Sequence, residues 1–169
     1  MTSPLVGIIM GSDSDLETMT GALELLDKFE IPYEVTVASA HRSPARAREY
    51  ARSSEERGIK VIIAGAGGAA HLAGALAAET MLPVLGVPID SSPLSGFDAL
   101  LATVQMPAGV PVATMAVGRA GASNAAVLAA QILALSDEKL SRRLKQYKAE
   151  MAQAVEEKAG RLDNRLKGS

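Results

Sequence analysis

The chain carries two histidines, His41 and His71, and no cysteine. Both histidines lie in short segments whose other residues are also equipped for chemistry, Ser39-Ala-His-Arg-Ser43 and Gly65-Ala-Gly-Gly-Ala-Ala-His71. A third segment, Gly11-Ser-Asp-Ser-Asp15, adds hydroxyls and carboxylates. A free imidazole titrates near ~6.5, which suits proton transfer around neutrality. Beside His41, Arg42 offers the paired N–H donors that grip a phosphate. Two histidines without a third or a cysteine form no zinc-binding cluster, so no metal is expected. The plainer reading of the second segment is an exposed loop histidine next to an arginine in a surface ion pair. His71, at a helix start, reads first as a structural histidine, with a smaller direct part in chemistry than His41.

The other two segments also admit two readings each. Ser12-x-x-Asp15 and Ser14-x-x-Glu17 both fit a capping box, and only one register can operate at a single helix start. If Ser14 and Glu17 cap, Ser12 and Asp15 are free to face a ligand at an anion-binding helix N-terminus. Asp15 would repel a phosphate, so it reads as an acceptor for ribose hydroxyls. Gly65-x-Gly67-x-x-Ala70 formally matches a dinucleotide fingerprint, with Asp90 about 20 residues further on. That match lies in the third β-unit rather than the first, and the chain leaves no room for a separate substrate domain. The preferred reading is a cradle whose amides approach a flat polar ring; close packing that only Gly and Ala permit is the alternative. Gly118 to Asn124 could form an anion nest, but small residues suited to close contact between subunits are the simpler account.

These segments need elements that bring them together. Apolar runs at Leu5–Met10, Tyr33–Ser39, Val61–Ala64, Val84–Val87 and Val112–Val117 read as strands. Four are nearly continuous, as strands buried on both faces are; the second alternates and suits an edge. Helices are expected from Ser14 to Phe29, from an N-cap at Ser43-Pro44 to Gly58, after Gly68, near Phe97–Val104, and from Ser123 to Leu135. Alternating β and α implies a three-layer α/β fold, a flavodoxin-like parallel sheet of order 2-1-3-4-5. That order sets the carboxyl ends of the first three strands, and hence the three segments, side by side. Beyond Ser136-Asp137 a charged helical tail over 137–167 repeats Leu140, Leu144, Tyr147, Met151 and Val155 on one stripe. That stripe needs a partner, either the body of the chain or a neighbouring subunit.

The chain has 169 residues, consistent with one domain over 1–169 with its core in 5–135. Its 17 basic and 19 acidic residues leave a net charge of −2, which argues against nucleic acid as a partner. Aromatics are only 3%, too few for stacking platforms. No run approaches the ~20 apolar residues of a membrane span, and no leader is visible, so a cytoplasmic protein is expected.

Taken in order, Gly11-Ser-Asp-Ser-Asp15, Ser39-Ala-His-Arg42, Gly65-Ala-Gly-Gly-Ala-Ala-His-Leu72, Leu85-Gly-Val-Pro88, Val104-Gln-Met-Pro107 and Asn124 with its Ala-rich helix resemble the N5-carboxyaminoimidazole ribonucleotide mutase family of purine biosynthesis. The resemblance spans Val6 to Leu135. It implies transfer of a carbamate carboxylate to ring carbon C4 of an imidazole ribonucleotide without cofactor or metal. It also implies a homo-octamer with sites near subunit contacts. By the same resemblance His41 is the general acid and base, and Ser12, Asp15 and Arg42 hold phosphate and ribose. Gly11, Ser39 and Ala40 belong to the same motifs, and the loop Ala66, Gly67, Gly68, His71 and Leu72 surrounds the base and the migrating carboxyl group. Amides of Gly67 and Gly68 are candidates to hold that carboxylate. One departure is Ala73-Gly74, where family members commonly have Pro-Gly. A related carboxylase that uses free carbon dioxide is the nearest alternative; its relatives usually carry Lys after the motif histidine, so Arg42 favours the mutase. A non-enzymatic nucleotide-binding module built on Gly65–Ala70 and Asp90 is the other.

Overall fold

In the computed structural model, which describes residues 3–167, the apolar runs form one parallel sheet in the order β2-β1-β3-β4-β5. The strands are β1 (Val6–Met10), β2 (Tyr33–Val37), β3 (Val61–Gly67), β4 (Val84–Ile89) and β5 (Ala113–Thr114). Side chains alternate across a strand, so one sheet feeds two cores. Val6, Ile8 and Met10 of β1 join Val61 and Ile63 of β3 in the first core, and Ile9 joins Ile62 and Ala64 in the second. Helices α1 (Leu16–Lys28), α5 (Arg119–Ala134) and the start of α6 (Glu138–Lys167) close the first core. The second is closed by α2 (Pro44–Ser54) and α3 (Leu72–Ala77), while α4 (Phe97–Val104) lies against β4 and β5. This is the expected three-layer, flavodoxin-like arrangement. Among the described residues no helix is long and apolar enough to cross a membrane.

Several boundaries differ from the sequence pattern, each for a local reason. β3 runs on through Gly67, because Ala66 and Gly67 stay in register with Pro88 and Ile89 of β4. The expected fifth strand shrinks to Ala113–Thr114. Pro88 of β4 has no N–H to continue the ladder; beyond β5 the chain is still tied to β4 by the Met115 N–H to the Gly86 carbonyl and the Gly118 N–H to the Pro88 carbonyl. α5 starts at Arg119, ahead of the expected Ser123. Its Ala122, Ala125, Ala126, Ala129 and Ala130 are fully buried within the chain. These small residues let α5 pack closely on α1 and the sheet.

The tail forms a 30-residue helix, capped by Asp137, whose carboxylate accepts the Leu140 N–H at 3.0 Å. Leu140 is buried, and Leu144 and Tyr147 pack on the first core, with Tyr147 edge-on to Phe29. Farther along, Met151, Val155, Leu162 and Leu166 are exposed. The stripe thus meets the body over its first half only.

Candidate active site

The carboxyl ends of β1 to β4 open on one cavity of about 350 Å³, where a doubly wound sheet holds ligands. Gly11, Ser12, Ser14 and Asp15 line it from β1; Ser39, Ala40, His41 and Arg42 from β2. Ala66, Gly67, Ala69, His71 and Leu72 follow from the end of β3, and Ser91 from β4. Of the residues that the resemblance places at the site, Gly68 alone stands outside this lining. Its φ of +59° makes it the turn by which the chain leaves β3.

The loop after β2 is tied to itself. Ser43 stands at the N-cap of α2 with Pro44 opening the helix, as expected, but its side chain caps no helix amide. Its Oγ accepts the Ser39 N–H at 2.9 Å and donates to the Ser39 carbonyl at 3.2 Å, while the Arg42 N–H donates to Ser39 Oγ at 3.1 Å. This knot sets His41 and Arg42 on the cavity rim. The Arg42 guanidinium rests one N–H on the Gly11 carbonyl at 3.4 Å. Arg48, Arg52, Arg57, Arg119, Arg142 and Arg143 each pair with a glutamate, whereas Arg42 forms no salt bridge with any described residue. The surface-ion-pair reading of Arg42 is thereby set aside, and its charge is left for a ligand.

His41 Nε2 and His71 Nδ1 are 2.7 Å apart, with the rings nearly perpendicular. Both side chains are exposed to the cavity. His71 stands exposed at the cavity and is bonded to His41. Among the described residues no third His, Cys, Asp or Glu joins them in a metal-binding group.

At β1 the capping question resolves to the Ser12 register. Ser12 Oγ accepts the Ser14 N–H at 3.4 Å and the Asp15 carboxylate accepts the Ser12 N–H at 3.1 Å, around a short 3-10 turn, Asp13–Asp15. Of the two registers open in the sequence, Ser14 with Glu17 is not the one used, yet Ser12 and Asp15 still line the cavity. Asp15 is buried, and burial raises its carboxyl above the ordinary value; the Ser12 N–H lowers it, Asp13 raises it and Arg42 lowers it.

Asp90 does not reach the cavity. Its carboxylate lies beside Gly118, 3.7 Å from where a Cβ would stand, at the N-terminus of α5. It fills the place proposed for an anion nest and plays no fingerprint role. Ser14 and Ala69 come with the segments singled out in the sequence, whereas Ser91 lies outside all three. The polar Asp90-Ser91-Ser92 at the fourth strand end was the available signal for Ser91.

Known proteins resemble this chain closely. A family model described as AIR carboxylase matches residues 5–154. The N5-carboxyaminoimidazole ribonucleotide mutase of Pyrococcus horikoshii is 58% identical over 160 residues, 95% of this chain and 89% of that protein. The Bacillus subtilis protein of the same name is 58% identical over 159 residues, 94% of this chain and 98% of that one. The crystal structure of Treponema denticola PurE superposes with a TM-score of 0.84 at 28% identity, covering 94% of this chain and 98% of the other. With its sheet order, its strand-end cavity and these matches over most of its length, the chain belongs to the AIR carboxylase family.

Proposed function

We propose that the chain is an isomerase that moves the carboxylate of N5-carboxyaminoimidazole ribonucleotide from the exocyclic nitrogen to ring carbon C4. The product is 4-carboxy-5-aminoimidazole ribonucleotide, a step of purine biosynthesis. The observation that carries the reading is the 2.7 Å contact of His41 with His71, beside an Arg42 that has no carboxylate partner among the described residues. A proton-transfer pair and an anion receptor then share one cavity. The mutase names of relatives 58% identical narrow that chemistry to carboxyl transfer.

In this reading Arg42 and Ser12 take the phosphate, and Asp15 accepts from a ribose hydroxyl. The base lies over Ala66, Gly67 and Leu72. His41 gives a proton to the exocyclic nitrogen as its bond to the carboxylate carbon breaks, and carbon dioxide stays in the cavity. C4 forms the new carbon–carbon bond, and the neutral imidazole removes the C4 proton. One proton is given and one regained, so the reaction balances as an isomerisation. His71 is a positioning residue that holds the His41 ring through its Nδ1.

The same reading includes a cytoplasmic homo-octamer. Its support is the apolar surface a lone chain leaves in water: Phe97, Leu101 and Val104 along α4, and the outer stripe of α6.

The test follows labelled carboxylate of the N5-carboxy substrate in unlabelled bicarbonate, with an enzyme-free control. Label kept in the 4-carboxy product is the expected result. Label diluted to the bicarbonate pool would assign the chain instead to carboxylation by free carbon dioxide.

A further inference from the structure

Ser91 enters the cavity from β4, one strand beyond the three whose ends carry the motifs. We infer that Ser91 is a substrate-binding residue whose hydroxyl donates to the carboxylate at the base end of the nucleotide. The inference rests on the mutase reading above. Neighbouring strands lie about 4.8 Å apart, so the ends of β2 and β4 are about 14 Å from each other, room for a nucleotide laid across the sheet. The free guanidinium of Arg42 fixes the phosphate at the β2–β1 side, which sends the base toward β3 and β4. There Ser91 Oγ hangs over Gly67, so close that a Cβ on that residue would stand 1.9 Å from it. Gly67 pairs with Ile89, which puts the hydroxyl directly past the end of β3. Ser91 makes no hydrogen bond to any described residue, so its hydroxyl is unengaged within the cavity. Apart from His71, no cationic side chain lines the β3–β4 side. A carboxylate there depends on neutral donors, and a hydroxyl bonded to an anion is the stronger kind of such contact.

The experiment measures binding of three probes to the full chain and to Ser91→Ala by calorimetry. The probes are ribose 5-phosphate, aminoimidazole ribonucleotide and its 4-carboxy derivative. Only the carboxylated nucleotide is expected to lose affinity, by about 10- to 100-fold, with the melting temperature unchanged. Equal affinity of wild type and Ser91→Ala for the carboxylated nucleotide would overturn the inference while leaving the mutase reading intact. A loss shared by all three probes would overturn it as well, since Ser91 would then be shaping the loop. Failure of the wild-type chain to bind either nucleotide would defeat the mutase reading itself.

Discussion

A short contact between two imidazoles needs one ring to donate and the other to accept, so the 2.7 Å contact ties the tautomer of His41 to that of His71. His41→Asn keeps the shape of the pair but removes the acid and base. Turnover is expected to fall by about 10²- to 10⁴-fold with the fold intact by circular dichroism. His71→Asn is expected to cost less, about tenfold, and to move the pH optimum of kcat, which a steady-state pH series would detect. A merely structural His71 would leave that profile in place. Asp15 is a different case, because its burial raises the carboxyl above its ordinary 3.8. The folded chain therefore holds the Asp15 proton more tightly than the unfolded one. Stability present below the unfolded value is given up as pH rises through the raised folded value. Asp15→Asn should melt higher than wild type at neutral pH, with the gain vanishing as pH falls toward 3.8, while nucleotide affinity drops. Melting curves of both proteins across that range check the sign.

The elements that present these residues depend on close backbone approach. At the start of α5, a Cβ on Gly121 would lie 1.6 Å from the Ala116 carbonyl oxygen and 2.6 Å from its carbon. Backbone cannot yield there as a flexible side chain could, so Gly121→Ala is expected to destabilise by about 3 kcal/mol or more, read by urea unfolding. Across the same helix, a Cβ on Gly21 of α1 would meet the Arg119 carbonyl at 2.8 Å. The α1–α5 pair is thus set close by absent side chains as much as by its buried alanines. The Ser39–Ser43 knot plays the corresponding part in the β2 loop. There Ser39, Arg42 and Ser43 satisfy one another's polar groups, and His41 and Arg42 project from a fixed turn.

At the scale of the whole molecule, the cavity floor is the chain's own sheet, while apolar side chains stand on the outer surface. Half of α6 and one face of α4 expose leucine, valine, methionine and phenylalanine to water. Light scattering is expected to give a mass near eight times the 17.5 kDa of one chain. Removing residues 151–167 leaves the anchored half of α6 in place and should reduce that mass without unfolding the body. A monomer mass for the full chain would sink the assembly. An unchanged mass for the shortened one would clear the outer α6 stripe of any part in it.

By itself the sequence determined the elements and the three loops, because apolar period, caps and turn residues act over a few neighbours along the chain. Val6 to Met10, Val61 to Ala64 and Val84 to Val87 read as buried strands for that reason, and Gly58 as the stop after α2. The motif residues other than Gly68 were legible as one cluster because parallel β–α order places strand ends together. Only tertiary structure decided which partners meet. The bond between His41 and His71 joins residues 30 apart, and Pro88 on β4 shortens β5 through a missing N–H. Register between β3 and β4 set Ser91 over Gly67, a relation no local window contains. The choice of Ser12 over Ser14 as cap turned on the burial of Asp15, and the division of α6 on where the body ends beneath it. Each of these depends on distance through space rather than along the chain, which is why spacing alone could not supply them.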